Sequence, residues 1–417
     1  MSTLEPLAYR RPPPPRRRRW LWPLLVLLVL VLLLAAAVVR AETETTPKLS
    51  VQRTAPRAVP LPGDPFHPAW PREGEAAVAV EGLGSVGASG GQAPVPIASV
   101  AKVMTAYLVL KQHPLAAGEE GFRIRISRAD VADLHARIAL DQSVVEVRAG
   151  EVLSERQALE ALLLPSANNV AALLAVHEAG SVEAFAAEMN EAAAELGMTR
   201  THYTDPSGFE ATTVSTAADQ IKLARAAMAD PAFAEIVAMP SARLPVAGLV
   251  PNYNELVGHE GFVGIKTGSD EAAGGCLLFA KRIEVGGRDL TVLGAVFGQR
   301  EGELVQAALA SANRLAASVA AAVRVRTVIP AGTKVMVARG PDGHRVAGIT
   351  AAPVQQLGWA GMPVRVKLRL AAPGRSLDAN QHLGTLTAIG TSTVRVAVVA
   401  GAALPEPSLV WRLRHLL

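Results

Sequence analysis

The hydrophobic pattern of the chain changes character along its length. Trp20 to Val39 is apolar for 20 residues, close to the roughly 20 a helix needs to cross a bilayer. Residues 42–65 are rich in Thr, Pro and charge and follow no helical or strand period, which predicts a linker or stalk. Ala76–Val80 reads as a short strand and Gly84–Gly91 as a glycine-rich turn. From Ser99 onward Val103, Met104, Tyr107, Leu108 and Leu110 recur at helical spacing. Ser154-Glu155-Arg156-Gln157 is a capping box that opens a helix to about Leu164. Pro165 and Ser166 break that helix, and another follows from about Asn169 to His177. Ser181 to Leu196 is an amphipathic helix stopped by Gly197, and Thr216-Ala217-Ala218-Asp219 starts a helix that ends before Asp230-Pro231.

After residue 260 the period switches to that of strands: Gly264–Gly268, Gly275–Ile283 and Leu290–Phe297, with a hairpin turn at Val285-Gly286-Gly287-Arg288. A helical stretch from Gly302 to Ala321 closes this part. Together these elements predict an α+β domain over residues 66–321, a sheet with a large helical insertion. Val323–Ile329, Lys334–Arg339, Val364–Leu370, Leu383–Ile389 and Thr393–Val399 read as strands of a small all-β domain over residues 322–417.

Charge refines the N-terminus. The 417 residues carry a formal net charge of +4. Residues 1–40 hold seven arginines against Glu5, a net of +6, so the remainder sums to −2. The high pI therefore belongs to the tail, and nothing supports a nucleic-acid-binding body. Arg16–Arg19 before the apolar stretch should stay in the cytoplasm, with the rest of the chain translocated. Residues 1–19 are then a cytoplasmic basic tail, 20–39 a transmembrane signal anchor or a signal peptide, and 40–65 the linker. An apolar run longer than the roughly 7–15 residues of a cleaved signal favours an anchor. Val39-Arg40-Ala41, however, resembles a small-x-small cleavage site. Either way the body lies outside the cytoplasmic membrane, on its surface or secreted.

Cys276 is the only cysteine, so no internal disulfide forms, and it reads as a small buried strand residue. The nine histidines show no metal-site spacing. The glycine-rich stretch lacks a following Gly-Lys-Ser/Thr, so it is no phosphate loop. No metal or cofactor is implied.

The chemistry lies in three short motifs that fall in order: Ser99-Val100-Ala101-Lys102, Ser166-Ala167-Asn168 and Lys266-Thr267-Gly268. Positions i and i+3 share a helix face, so Ser99 can sit under the Lys102 amine. A neutral lysine could take the hydroxyl proton if burial and the cation Lys266 lower its pKa. Ile97, Ala98, Val100, Ala101, Val103 and Met104 make the surroundings of Lys102 apolar, so its amine needs a buried partner. Ser166 and Asn168 sit at a helix junction, where they could cap a helix or serve a site, relaying a proton and holding a substrate amide. Lys266 and Gly268 share one face of a strand. Lys266 with Thr267 suits an extended peptide that ends in a carboxylate.

Set in this order, the motifs resemble those of the serine-type D-alanyl-D-alanine carboxypeptidases, the low-molecular-mass penicillin-binding proteins of peptidase family S11. Pro96–Thr105, Leu163–Ala171, Thr204–Phe209, Ser215–Asp219 and Gly261–Gly268 with Ala272-Ala273-Gly274 are similar to family segments. Gly384-Thr385-Leu386 and Leu404-Pro405 are similar, more loosely, to its C-terminal β-domain. Departures are Val100-Ala101 where Leu-Thr is usual, Ala167 where Gly is more usual, and the glycine-rich loop before the nucleophile. None removes a reacting group.

The resemblance implies a β-lactamase/transpeptidase-like domain, an antiparallel sheet with a helical subdomain. It implies catalysis by Ser99, Lys102, Ser166 and Asn168, with Lys266, Thr267 and Gly268 binding substrate. The substrate would be a peptidoglycan stem peptide ending in D-Ala-D-Ala, with β-lactams as covalent inhibitors. Rival readings are a class A-like β-lactamase, a DD-endopeptidase and a non-catalytic wall scaffold. The first would carry Asp where Ala167 stands, and the last would be expected to lose one of the three reactive side chains, all of which are present.

Overall fold

The computed structural model describes residues 21–44, 46–116 and 118–415. The basic tail and Trp20 lie outside the described residues. The apolar run forms a helix, Leu21–Thr43, whose leucines and all valines but the half-buried Val38 are exposed.

The α+β part is built on a five-stranded antiparallel sheet in the order 262–270, 274–285, 288–299, 75–80, 84–89. The long helix Leu304–Ala322 covers one face through Ala308, Leu309, Ala312, Leu315, Ala316 and Val319. The other face packs against the helical subdomain, whose larger apolar cluster includes Met104, Leu159, Leu174 and Phe233. Gly84–Ser89 is an edge strand and not the turn its glycines suggest. The glycine has a packing reason: a Cβ on Gly87 would come within 3.3 Å of the Trp70 ring.

The second sheet has seven strands in the order 50–53, 334–339, 345–350, 393–400, 382–389, 363–370, 58–60. Residues 50–60, expected as linker, thus supply both of its edges. Ser50–Arg53 pairs with Met336–Arg339, and Ala58–Pro60 pairs with Pro363–Arg365. Each is a short edge strand with one partner, and Val51 and Val59 are what it packs against the core. That is too little apolar alternation to stand out in sequence, while covering the ends of the sheet keeps its longer strands from open pairing. The inner face of the sheet packs on a two-stranded sheet, 324–329 with 354–358, through Ile329 and Val354. Leu357 of that small sheet belongs to the cluster under the helix Leu304–Ala322. The layers therefore run from the α+β part through the small sheet to the seven-stranded sheet, whose other face is turned to solvent.

Candidate active site

Ser99 lies in a single 3-10 turn, Ala98–Ala101, that feeds directly into the helix Lys102–Gln112. Ala98 has φ +45°, a left-handed conformation that a residue with a Cβ adopts at a cost. It presses against Gly208, where a Cβ would meet the Ala98 carbonyl oxygen at 1.9 Å, so only glycine fits opposite the turn.

Lys102 is fully buried. Its Nζ lies 2.7 Å from Ser99 Oγ, 2.6 Å from Asn168 Oδ1 and 2.9 Å from the Ser207 carbonyl oxygen. Burial holds this amine well below the usual lysine range, and the charge of Lys266 pushes it further down. Asp205 acts in the opposite direction, and Arg137 adds to the lowering. The three partners fit a neutral amine. Its two N–H groups satisfy the two oxygens that can only accept, and its lone pair is left for the Ser99 hydroxyl.

Asn168 opens the helix Asn168–Ala179, whose N-cap, Ala167, makes no side-chain bond. While its Oδ1 takes the lysine, its Nδ2 donates to Gln142 Oε1 at 2.8 Å. Both ends of the amide are therefore engaged inside the protein and clamp Lys102, while the second Nδ2 hydrogen is left for a substrate amide. Arg137 Nη1 also donates to Gln142 Oε1 at 3.1 Å, and its Nε donates to Asp133 at 2.6 Å. Ser166 has φ +67° and a buried Oγ with no bonding partner among the described residues. A helix cap would leave neither feature. The strain and the unpaired hydroxyl suit a group held for a ligand.

The strand Phe262–Asp270 brings Lys266, Thr267 and Gly268 against the nucleophile segment. A Cβ on Gly268 would stand 2.9 Å from Ser99 N and 3.0 Å from the Ile97 carbonyl oxygen, so the strand can pass this close only as glycine. Lys266 is 1% exposed, and burial pushes its amine down to about 7. Among the described residues its one side-chain partner is Thr267 Oγ1, at 3.5 Å. Cys276, on the paired strand opposite Gly268, is fully buried, and burial raises its thiol to about 12.

Several residues of the site escaped the sequence reading. Asp205 accepts from Ser207 N, Ser207 Oγ, Phe209 N and Thr213 Oγ1 at 2.6–3.1 Å. Thr105 Oγ1 donates to the Pro206 carbonyl at 2.7 Å. Together they fix the turn that presents the Ser207 carbonyl to Lys102. Gln142 and Arg137 were missed because the helix Arg128–Ala139 was not recognised, although Ser127 and Asp130 form a capping box. Beside the lysine, a cavity of about 290 Å³ is lined by Asn168, Ser207, Arg137 and Phe209, among others.

A serine under a desolvated lysine, set between a helical subdomain and the edge strand of an antiparallel sheet, defines the class of transpeptidase-like serine acyl-transfer proteins. Residues 86–296 match the family model described as D-alanyl-D-alanine carboxypeptidase, peptidase S11, and the chain belongs to that family. It is 43% identical over 152 residues to the D-alanyl-D-alanine carboxypeptidase DacB2 of Mycobacterium tuberculosis, a match covering 35% of this chain and 50% of that one. It is 34% identical over 216 residues to a D-alanyl-D-alanine endopeptidase of Pseudomonas aeruginosa, covering 49% of this chain and 65% of the relative. The chain thus spans half to under two thirds of the length of these two relatives. The Streptomyces K15 DD-transpeptidase superposes with a TM-score of 0.51 at 25% identity, over 62% of this chain and 98% of that one. The carboxypeptidase DacD of Francisella tularensis superposes with a TM-score of 0.54 at 19% identity, over 80% and 94%. The latter likeness extends the shared fold beyond the α+β part.

Proposed function

We propose that this chain is a D-alanyl-D-alanine carboxypeptidase that trims peptidoglycan stem peptides. In this reading the Leu21–Thr43 helix is an uncleaved anchor, and residues 66–321 are the catalytic domain outside the cytoplasmic membrane. The observation that carries the reading is the triple coordination of Lys102 Nζ by Ser99, Asn168 and the Ser207 carbonyl.

Neutral Lys102 takes the proton of Ser99 Oγ as Oγ attacks the carbonyl carbon between the two D-alanines. Negative charge developing on the carbonyl oxygen is met by the Ser99 N–H and by a backbone N–H of the strand after Lys266. The Ser166 hydroxyl gives its proton to the departing D-alanine nitrogen and takes the one that Lys102 accepted from Ser99, so Lys102 returns to neutral, while Asn168 keeps Lys102 in place. Lys266 and Thr267 hold the terminal carboxylate, and Gly268 lets the substrate strand lie against the nucleophile. Water then hydrolyses the ester of Ser99. A β-lactam enters the same path and stays as the acyl-enzyme.

The test uses the detergent-solubilised full chain. It should release D-alanine from a peptide ending in D-Ala-D-Ala and retain labelled penicillin covalently, and Ser99→Ala should lose both. Retained activity in Ser99→Ala would refute the assignment, and rapid penicillin turnover without an adduct would mean a β-lactamase. The Pseudomonas relative bears the name of an endopeptidase. Cleavage of a cross-linked peptide without release of free D-alanine would move the reading there.

A further inference from the structure

The −2 balance of residues 41–417 conceals a strong polarity. Residues 66–321 carry 19 Lys/Arg against 30 Asp/Glu, a net of −11. Residues 322–417 carry 12 Lys/Arg against three Asp/Glu, a net of +9. The basic residues of the tail are thus matched by a second basic region that the whole-chain sum hides.

This charge is ordered by the sheet. On strand 363–370, Arg365, Lys367 and Arg369 alternate with inward Val364, Val366 and Leu368, and all three basic residues are exposed. Lys367 pairs with Thr387, and Thr387 pairs with Arg395, so a basic row crosses the outer face. Farther along the same face, exposed Arg339 and Arg345 are direct cross-strand neighbours, with Lys334 opposite Ile349. Like charges directly opposed on a sheet repel, yet no acid stands on any of the seven strands to relieve them. Among the described residues none of these seven side chains forms an ion pair. Val337, Ala347, Ile349, Ala397 and Val399 lie between the basic positions, partly exposed. This is a flat, cationic and mildly apolar surface turned away from the α+β part.

We propose that this face docks on an anionic phospholipid surface. Two observations favour lipid over a soluble polyanion. First, the helix Leu21–Thr43 ends seven residue steps before Ser50, the first residue of the sheet. Seven steps extend to at most about 25 Å, so a helix seated in a bilayer keeps the sheet edge close to the headgroups. Ser50 and Gln52 themselves lie on the outer face. Second, the charge polarity orients the molecule: an anionic surface attracts the sheet and repels the acidic catalytic domain, which then points away from the membrane. The attraction acts over about 8 Å at physiological salt, so it requires the proximity that the short connection enforces. This inference rests on the anchor reading above and is independent of which peptide is cleaved.

The experiment places the full chain in lipid nanodiscs with a fluorophore at Thr387→Cys and a quencher on the lipid headgroups. Cys276 is buried with a raised pKa, so the introduced thiol takes the label selectively. Incorporation into zwitterionic discs reports the helix alone, and quenching in phosphatidylglycerol discs reports the sheet face, so the two readings fail separately. Quenching should be at least threefold stronger in the anionic discs. It should fall to the zwitterionic level in 0.5 M salt, and likewise when Arg365→Glu, Lys367→Glu, Arg369→Glu and Arg395→Glu are combined. Labelled penicillin should still acylate that combined variant, which shows that it is folded. Equal quenching in both kinds of disc would overturn the proposal, as would quenching that survives charge reversal. Binding of soluble polyphosphate without preferential quenching in anionic discs would also overturn it, assigning the face to a soluble polymer.

Discussion

The two parts of this molecule treat their cations in opposite ways. The α+β part takes Lys102 and Lys266 out of water and gives one of them three oxygen partners and the other a single long contact. The seven-stranded sheet leaves every lysine and arginine of its outer face in water, unpaired among the described residues. Burying an ionisable group is costly, so the first arrangement persists only where a shifted pKa is useful. Exposed cations cost little singly and act only as a set. One region concentrates its electrostatics in two atoms, and the other spreads it over a surface.

The comparison can be broken most forcefully at Lys102. Lys102→Ala should slow penicillin acylation by about 10²–10⁴-fold, the usual worth of a positioned base, as read by stopped-flow adduct formation. A loss below tenfold would mean that the buried amine is not the base.

Gly268→Ala comes next. Its methyl group would meet backbone on the nucleophile turn, and a shift there should lower acylation about 10²-fold while far-ultraviolet dichroism stays native.

Lys266 separates function from stability. With its amine near 7 in the folded chain, the charge proposed to attract a carboxylate is lost above that pH. Turnover of a carboxylate-terminated peptide, measured as kcat/KM, should therefore fall on the alkaline side of about 7, and Lys266→Arg should move that fall to higher pH. Between about 7 and the usual lysine value the unfolded chain binds a proton that the folded chain does not. Folding stability should consequently rise with pH across this window. Lys266→Met should flatten that rise and stabilise the fold at neutral pH by about 1–2 kcal/mol while weakening substrate binding. Thermal unfolding of both chains from pH 6 to 10 measures the sign.

The smallest effect is expected on the sheet. Arg395→Gln should change stability by no more than about 0.5 kcal/mol and leave acylation untouched. A larger change in chemical denaturation would show that the outer charges are structural after all.

Most of the side chains that the structure brings together are legible in the sequence because motif spacing maps onto local geometry. Ser99 and Lys102 needed only one turn of helix to meet, and Lys266 and Gly268 only a strand. What stayed hidden depends on contacts distant in sequence. The motif spacing of Asn168 does not show that Gln142, 26 residues earlier, holds the other end of its amide. The Asp205 turn was recognised as a segment, but its task of aiming the Ser207 carbonyl appears only when it lies under a helix 100 residues earlier. The strands over 50–60 were unreadable for a related reason. Their pairing partners, not their own alternation, make them strands.

Those same early strands set an order of assembly. Because they border a sheet whose remaining strands all follow residue 333, the α+β part is a guest inserted into the chain of its seven-stranded host. As the chain is made from its N-terminus, the two borders emerge first and stay unpartnered until almost everything else has followed. The sheet is then the last part able to close, its contacts being the most distant in sequence. A chain interrupted before residue 393 would lack the strand that 345–350 and 382–389 both pair with, whatever the state of its α+β part. Closure of the sheet thereby reports that the chain has been completed at least through Ala400.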